Sequence, residues 1–286
     1  MPFDYDRLIS WHYDDIPQEY DVWDTIRYAL SVGIGREPTD ARQLRFTFEK
    51  DLQAFPTMGL VLATPGFWLQ DPATGLDWVN VLHGGESLVI HKPLPAAARL
   101  TARLRVTDIV DKGEGRGALM QTIREMIDAD SGELLATEGT TWFCRGDGGC
   151  GGPGGTMPKA HALPERAPDA VCDLTTLPQQ ALLYRLNGDH NPLHANPEVA
   201  AAAGFDRPIL HGRCTLGHAA HAVLRVMADY DPTRFKGIQV RFTAPVFPGE
   251  TLRTEMWRDG DAVSFRTLAV ERNLVVLSNG RVDMAG

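Results

Sequence analysis

The sequence predicts an α+β fold made of two related halves, and three observations lead to this prediction. A glycine-rich stretch at residues 146–155 divides the 286 residues into two parts of similar length. Short segments recur in the same order on both sides of it. In the second part, one long segment with helical spacing precedes several strand-like segments. A helix followed by antiparallel strands is typical of the α+β class.

The predicted boundaries follow the composition of the chain. We expect a first unit at residues 1–145, a glycine- and proline-rich linker at 146–169 and a second unit at 170–286. A stretch so rich in glycine is not expected to form a packed element of secondary structure. Three pairs of segments match across it, and they begin at Tyr28 and Tyr184, at Pro56 and Cys214, and at Lys92 and Ala244. Their common order indicates a duplication.

In the first half, strand-like segments are separated by glycine-containing turns. They lie at residues 86–90, 99–110, 117–128 and 134–144. A helical segment around residues 58–63 precedes them and is short, because Pro65 cannot continue a helix.

In the second half, Asn196 and Pro197 are typical of a helix start, and the alanine-rich run to residue 203 favours a helix. A second helix is predicted at about residues 212–228, where apolar residues follow helical spacing. Strand-like segments then lie at residues 237–242, 251–257, 262–269 and 274–277.

The composition limits the classes of function. A formal net charge of −9 argues against a nucleic-acid partner. No apolar run reaches the roughly 18–20 residues that a membrane-spanning helix needs. The first residues lack the apolar core of a signal peptide, so we expect a cytoplasmic protein. The four cysteines match no common zinc-binding spacing, and we expect neither a metal nor a separate cofactor.

The segment 184–194 is the first candidate for chemistry. It places Asp189, Asn191 and His194 in a loop punctuated by glycine and proline. A carboxylate and an imidazole held close together can bind one water molecule and exchange protons with it. The same residue types are also common as turn formers and caps, and composition alone favours that simpler interpretation.

The segment 209–212 is the second candidate, because Gly212 stands at the predicted start of the long helix. Helix starts expose unpaired N–H groups, and glycine lets a ligand atom approach the backbone. The Gly212 N–H is therefore a candidate donor to an oxyanion. Within residues 207–241, six basic residues stand against two acidic ones, which suits an anionic ligand or a solvated helix face. The candidate ligand-binding residues there are His211, Arg213, Arg234, Lys236 and Arg241.

The run Tyr-Arg-Leu-Asn-Gly-Asp-His-Asn-Pro-Leu-His at residues 184–194, followed by Pro-Ile-Leu-His-Gly at 208–212, resembles the signature of the MaoC-like, or hydratase 2, family. The resemblance extends over nearly the whole chain to the hydratase 2 domains of multifunctional enzymes. It implies a double hot-dog fold, in which each half wraps an antiparallel sheet around a long helix. It also implies hydration of trans-2-enoyl-CoA to (3R)-3-hydroxyacyl-CoA.

The same resemblance implies roles for individual residues. Asp189 and His194 would form the catalytic pair, Asn191 would orient them, and Gly212 would supply the oxyanion donor. Tyr28 and Glu49 match first-half positions that matter in the family, in a catalytic or a structural role. Aligned on the repeat, the first half has no counterparts of the catalytic residues, so we expect it to accommodate the acyl tail.

Three alternatives to the hydratase remain open on the sequence. A dehydratase running in reverse, on coenzyme A or acyl carrier protein, would use the same residues. A hot-dog thioesterase would attack the thioester carbon and release a thiol. A non-catalytic acyl-CoA-binding module would not need Asp189 or His194. In each case the partner is an acyl thioester, and the resemblance also allows a homodimer.

Overall fold

The computed structural model describes residues 3–155 and 159–285, and its main feature is a single antiparallel sheet. The ten strands of the described residues are β1 (His12–Tyr20), β2 (Val81–Ile90), β3 (Ala98–Asp111), β4 (Ala118–Asp128), β5 (Leu134–Cys144), β6 (Ala170–Thr175), β7 (Phe235–Phe242), β8 (Thr251–Asp259), β9 (Ala262–Ala269) and β10 (Leu274–Met284). The α-helices are α1 (Tyr5–Ile9), α2 (Val22–Ser31), α3 (Ala41–Leu44), α4 (Gln180–Tyr184), α5 (Pro197–Ala202) and α6 (Gly212–Met227).

The strand order repeats between the halves. The sheet runs β1-β3-β4-β5-β2 and continues as β7-β10-β9-β8-β6, so the second half has the order of the first in reverse direction across the sheet. The halves join where β2 pairs with β7, with Glu86 opposite Val240. This pairing covers an edge of each half-sheet that would otherwise expose unpaired backbone groups. The repeat is what a duplication predicts.

The halves differ in the helix that covers the sheet. In the second half, α6 packs on the sheet, and its residues from Cys214 to Leu224 are buried. In the first half, a single 3₁₀ turn, Pro56–Leu60, packs against β2 and β5. The Arg124 guanidinium donates to the carbonyls of Gly59 and Leu60 at 3.2 and 3.3 Å, which satisfies the end of that turn. The prediction of a short helical segment was right in kind, but its bounds of 58–63 were wrong.

Helices α2 and α6 pack closely at the join of the halves. A Cβ atom at Gly217 would lie 2.4 Å from Cγ1 of Val32, so only glycine permits this approach. The rings of Tyr28 and Tyr184, which begin two of the repeated segments, lie 6.3 Å apart in the same region. The repeat therefore brings its own equivalent residues together in the core.

The predicted linker is ordered in part. The N–H groups of Gly149 and Gly151 donate to the Asp111 carboxylate at 2.8 and 3.3 Å, and Cys150 is buried. As expected, no helix or strand forms in the described part of this stretch, although residues 149–151 are tied to the end of β3 by these hydrogen bonds. Residues 156–158 of the predicted linker lie outside the described part, and the domain bounds stay a prediction. All four cysteines are buried free thiols, and no helix among the described residues is long and apolar enough to cross a membrane.

Candidate active site

The loop after α4 is held by side chains that cap its turns. The Asn187 amide donates to the Ser31 hydroxyl and to the Tyr184 carbonyl, both at 2.9 Å, which ties the loop to α2. Gly188 has φ +106°, a left-handed conformation that favours glycine. The Asn191 side chain accepts the Leu193 N–H at 3.0 Å and caps the 3₁₀ turn that ends at His194. These contacts fix the backbone positions of the candidate catalytic residues.

His194 is held in one tautomer by a backbone carbonyl. Its Nδ1 lies 2.9 Å from the carbonyl oxygen of Ile209. Because that oxygen can only accept, Nδ1 carries the proton and Nε2 keeps its lone pair in the neutral ring. Burial lowers the pKa of His194 below its ordinary value, although the Ile209 carbonyl and Asp189 act in the opposite direction. A neutral imidazole with a free Nε2 can accept a proton at pH 7.

His211 is buried beneath residues 185–194, which we call the catalytic loop because they carry the candidate catalytic residues. Its ring stacks on that of His194 with centroids 3.7 Å apart and planes 29° apart. Its Nε2 is 3.3 Å from the backbone oxygen of Asp189, and its side chain is only 1% exposed. Burial and the nearby His194 lower the pKa of His211 to about 3. The structure thus places His211 as a support for both catalytic candidates, and its predicted ligand contact stays a prediction.

Asp189 is exposed, while both imidazoles beside it are buried. Its Oδ1 accepts the backbone N–H of Asn191 at 3.2 Å. Removal from water would raise the pKa of Asp189, but the imidazoles of His211 and His194 and this N–H outweigh that effect and lower it. The carboxylate is therefore ionised at neutral pH.

The three groups form a tight cluster, since one ligand atom of each of Asp189, His194 and His211 lies within 4.8 Å of the others. Such a set could in principle hold a metal ion. Nε2 of His211, however, lies 3.3 Å from the Asp189 carbonyl oxygen, which can only accept, so this nitrogen carries a proton and has no lone pair to offer a metal ion. The geometry fits a water molecule between a carboxylate and an imidazole better than it fits a metal ion.

Gly212 is the first residue of α6, as predicted, and its helix start has no side-chain cap. The early N–H groups of a helix lack intrahelical acceptors, so they can bind a developing negative charge. A Cβ atom at Gly212 would lie 3.0 Å from the ring of Phe242, which is tighter than ordinary contact. The glycine thus allows β7 to pack against the helix start.

Arg213 does not extend freely into solvent as a ligand-binding residue would. Its guanidinium donates to Glu86, Glu138 and the Leu60 carbonyl, which all belong to the first half. These partners could not be predicted from local sequence patterns, because Leu60, Glu86 and Glu138 are 153, 127 and 75 residues away in the chain.

The remaining basic candidates are spread along β7. Arg241 is exposed, and strand alternation places its side chain on the opposite face of β7 from Phe242, whose ring contacts the helix start. Lys236 is exposed five residues earlier on the same strand, about 16 Å away at a strand's usual rise, and Arg234 is half-buried just before the strand. The structure therefore does not gather these residues into one patch beside the catalytic candidates, and their predicted ligand contacts stay predictions.

The two first-half candidates differ in position. Tyr28 is fully buried in α2, and its hydroxyl donates to the Thr57 carbonyl at 2.8 Å. Glu49 is exposed in the turns that follow α3. Tyr28 therefore ties α2 to the 3₁₀ turn of the first half, which agrees with a structural role.

A cleft of about 250 Å³ lies between α2 and the segment that leads into the catalytic loop. Its lining is almost entirely apolar and includes Trp23, Ile26, Leu30, Leu183 and Leu186. The cleft is thus an apolar surface contributed by both halves.

Known proteins match this chain over both halves. Residues 159–279 match the MaoC like domain, and residues 18–146 match the MFE-2 hydratase 2 N-terminal domain. The "Enoyl-CoA hydratase 2, peroxisomal" of Arabidopsis thaliana is 38% identical and covers 99% of the chain and 96% of its own length. The chain belongs to the MaoC-like hydratase 2 family. The resemblance predicted from residues 184–212 is thereby confirmed.

Other members of the MaoC-like hydratase 2 family agree. The "3-hydroxyacyl-thioester dehydratase Y" of Mycobacterium tuberculosis is 42% identical, with 91% of each chain covered. The peroxisomal multifunctional enzyme type 2 of Drosophila melanogaster is 41% identical over 93% of the chain, which spans 46% of that protein. The chain thus corresponds to less than half of the multifunctional enzymes that it matches.

Solved structures confirm the double hot-dog fold. A MaoC-like dehydratase from Phytophthora capsici has a TM-score of 0.87 at 32% identity, covering 99% of this chain and 98% of its own. A Mycobacterium tuberculosis protein described as having a double hot-dog fold has a TM-score of 0.61 at 17% identity, covering 99% of this chain and 98% of its own. The latter likeness concerns the fold alone.

Proposed function

We propose that this chain adds water across the double bond of trans-2-enoyl-CoA to give (3R)-3-hydroxyacyl-CoA. The observation that carries the proposal is the cluster of Asp189 and His194, with the latter's Nε2 lone pair free, in the loops beside the uncapped start of α6. A carboxylate and a neutral imidazole offer two acceptors to the two O–H groups of one water molecule. The related hydratases named above act on the same class of substrate.

In the proposed reaction, water binds between the Asp189 carboxylate and Nε2 of His194. His194 removes one proton as the water oxygen forms a bond to C3 of the enoyl thioester. The π electron pair of the C2–C3 double bond moves toward the thioester carbonyl and gives an enolate. Asp189, a carboxylate that its lowered pKa keeps ionised, holds the second O–H and stabilises the imidazolium. The imidazolium then returns its proton to C2, which completes a syn addition.

The enolate oxygen needs a donor between these two steps. The Gly212 N–H, at the positive end of the α6 dipole, is our candidate for it. His211 would take no part in proton transfer and would hold the ring of His194 and the backbone of Asp189 in place. No cofactor is needed for these steps, since coenzyme A is part of the substrate.

The reverse reaction, dehydration of a (3R)-3-hydroxyacyl thioester, is the second candidate. The Mycobacterium tuberculosis relative is named for it, and the same groups would act in the opposite order. In practice, the preference for coenzyme A or for acyl carrier protein as the carrier distinguishes the two candidates. For a coenzyme A carrier, the exposed or half-buried basic residues Arg241, Lys236 and Arg234 are the proposed phosphate contacts.

A homodimer and a cytoplasmic location are further proposals. The pairing of β2 with β7 already joins two hot-dog units within one chain, and a second copy would have to use another surface. Several relatives are peroxisomal by name, so cell fractionation with a tagged full-length chain is the test of the location. Sedimentation of the purified protein at two concentrations tests the dimer.

The test of the function is the loss of enoyl-thioester absorbance with crotonyl-CoA and with a long-chain trans-2-enoyl-CoA, run beside a free-thiol assay. Loss of absorbance without thiol release, with the (3R) product on chiral analysis, is the expected result. Release of thiol would assign the chain to the thioesterases instead. Binding of acyl-CoA without any turnover would assign it a non-catalytic role and refute the proposal.

A further inference from the structure

A buried group of charges connects the start of α6 to the first half. Nε of Arg213 donates to Oε2 of Glu86 at 2.8 Å, Nη1 donates to the Leu60 carbonyl at 3.0 Å, and Nη2 donates to Oε1 of Glu138. On the far side, Nη2 of Arg124 lies 2.6 Å from Oε2 of Glu138. Two arginines and two glutamates thus alternate across the join of the halves, and we call Arg213, Glu86 and Glu138 the clamp.

The two carboxylates of the clamp are buried, whereas the Arg213 side chain is 20% exposed. The side chains of Glu86 and Glu138 are 0% and 4% exposed, and that of Arg124 is 2% exposed. Removing charges from water is expensive unless partners and hydrogen bonds compensate them closely. When both carboxylates are ionised the four charges sum to zero, and each carboxylate contacts at least one guanidinium. A displacement of Arg213 by even a fraction of an ångström would therefore loosen several charged contacts at once.

The positive charge of Arg213 stands at an unusual place, because cations in the first turn of a helix oppose the helix dipole. Glu86 and Glu138 remove this conflict by neutralising it. All three nitrogen atoms of the guanidinium donate to protein acceptors. Arg213 is therefore suited to holding the helix start and poorly suited to contacting the substrate itself.

Arg213 follows Gly212 directly, so any movement of the first turn moves the candidate oxyanion donor with it. Glu86 is placed for this contact by a register shift in β2 between His83 and Gly85. The shift also turns His83 to the inner side, where its Nε2 lies 2.9 Å from Glu86 and its ring contacts Phe242 with centroids 4.6 Å apart. The same Phe242 ring packs against Gly212.

We propose that the clamp positions the Gly212 N–H for the enolate oxygen, which makes Arg213, Glu86 and Glu138 positioning residues of the hydratase. This inference rests on the proposed function. The first half has no catalytic motif of its own, but on this proposal it contributes to the reaction because its Glu86 and Glu138 hold the start of α6 in place. Loss of the clamp reduces stabilisation of the enolate while the coenzyme A contacts stay in place.

The test uses a charge-balanced variant, because removing Arg213 alone would leave two buried carboxylates facing one guanidinium. Arg213→Met combined with Glu86→Gln leaves the Arg124–Glu138 pair intact and neutral. A second variant, Arg213→Lys, keeps the charge but cannot make the forked set of three bonds. Arg253→Met is the control, since Arg253 forms a bidentate pair with Asp173 between β8 and β6, away from the clamp. Circular dichroism and thermal melting establish that each variant is folded.

Two readouts separate positioning from a merely structural role. With crotonyl-CoA, we expect kcat of the double variant to fall about 10²-fold, as misplacement of a catalytic group typically causes, while KM changes little. Arg213→Lys should fall in between, and Arg253→Met should match the wild type. The infrared stretch of bound butyryl-CoA carrying ¹³C at the thioester carbonyl reports the oxyanion contact directly. It should be lowered in the wild type and the control, and return toward its solution value in the double variant.

The outcomes distinguish this inference from the proposed function. If the wild type hydrates crotonyl-CoA and the folded double variant keeps both its kcat and its lowered carbonyl stretch, the clamp proposal is wrong and the function stands. If the double variant does not fold, Arg213→Lys decides: a wild-type kcat and a fully lowered carbonyl stretch in that variant would show that the clamp proposal is wrong. If the wild type neither hydrates the substrate nor lowers the stretch, both proposals fail together.

Discussion

Replacing Gly212 with alanine tests whether the start of α6 contributes to catalysis. Gly212 has no left-handed backbone conformation, so alanine is allowed by its dihedral angles. The new Cβ atom would meet three atoms of the Phe242 ring at 3.0, 3.2 and 3.4 Å. Ordinary contact begins near 3.4 Å, so the ring or the helix start must move by a few tenths of an ångström. Overpacking of this kind costs about 1–3 kcal/mol, partly offset by alanine's better helix propensity.

The expected effect on activity is larger than the effect on stability. A small shift of the Gly212 N–H away from the enolate oxygen approaches loss of an oxyanion donor, which reduces kcat by about 10²–10³-fold. Steady-state hydration of crotonyl-CoA by Gly212→Ala should show this loss, while urea unfolding should show a change of at most about 3 kcal/mol. The matched variant adds Phe242→Leu, which removes the ring that the new methyl group meets.

The double variant Gly212→Ala with Phe242→Leu tests whether contact with the Phe242 ring causes the loss of kcat. If the steric contact displaces the helix start, Gly212→Ala with Phe242→Leu should recover a substantial part of kcat relative to Gly212→Ala, and the two changes should be non-additive. Phe242→Leu alone supplies the fourth corner of the cycle. Wild-type turnover by a folded Gly212→Ala protein would refute the reasoning, because the displaced N–H would then have no part in the reaction.

Four further outcomes follow from the site and its surroundings. Asp189→Asn and His194→Gln should each lower kcat by about 10²–10⁴-fold, and steady-state rates near those of the wild type would contradict the assignment. Since the pKa values of both groups are lowered, kcat/KM should be independent of pH above pH 7 and should fall only below the ordinary imidazole pKa of about 6.5. A decrease in kcat/KM that begins above pH 7 as the pH is lowered would show that a different group titrates. If the cleft between α2 and the catalytic loop holds the acyl tail, Ile26→Trp should raise KM for a long-chain enoyl-CoA and leave crotonyl-CoA unaffected, and equal effects on both would place the tail elsewhere. Burial lowers the pKa of His218 to about 4, so below about pH 6.5 the unfolded chain binds a proton that the folded chain does not. The free energy of unfolding should therefore fall by about 2 kcal/mol between pH 7 and pH 5 because of this group. Urea unfolding of His218→Gln should show a pH dependence that is weaker by that amount.

The parts of the fold with strong local signals could be predicted from the sequence. The long helix was placed at 212–228 and is observed at Gly212–Met227, because its apolar spacing and its glycine start are local properties. Strands β5 and β9 have the predicted bounds for the same reason. The edge strands β1 and β6 were missed, since β1 contains Pro17 and many polar residues. Such residues are tolerated at the edge of a sheet, and a local pattern does not show that a strand lies there.

Bulges account for two of the wrong bounds. Strand β10 was predicted to end at residue 277, because Ser-Asn-Gly at 278–280 is typical of a turn, yet it continues to Met284. Asn279 has φ +54° within the strand, and the register against β7 and β9 shifts around it. Strand β2 was predicted to begin at residue 86, after Gly84 and Gly85, but begins at Val81 and bulges there. A turn and a bulge use the same residues, and only pairing with a neighbouring strand distinguishes them.

The site divides in the same way between local and distant information. Asp189, Asn191 and His194 lie within one loop, so their motif could be recognised from the sequence. The clamp could not be predicted, because Glu86 and Glu138 meet Arg213 across 127 and 75 residues of chain. A basic residue beside a glycine at a helix start resembles a ligand contact, and only the positions of its acceptors reveal a different role.

The clamp also offers a reason why a chain with one catalytic motif retains two hot-dog units. An isolated second half would expose the β7 edge, which invites pairing with other chains. A second copy of the catalytic half could cover that edge, but it would bring its own long helix where the first half has the short turn Pro56–Leu60. The Leu60 carbonyl at the end of that turn accepts from both Arg213 and Arg124. A full helix in its place would use such carbonyls internally, so the loss of the first helix and the gain of the buried clamp belong to one structural change.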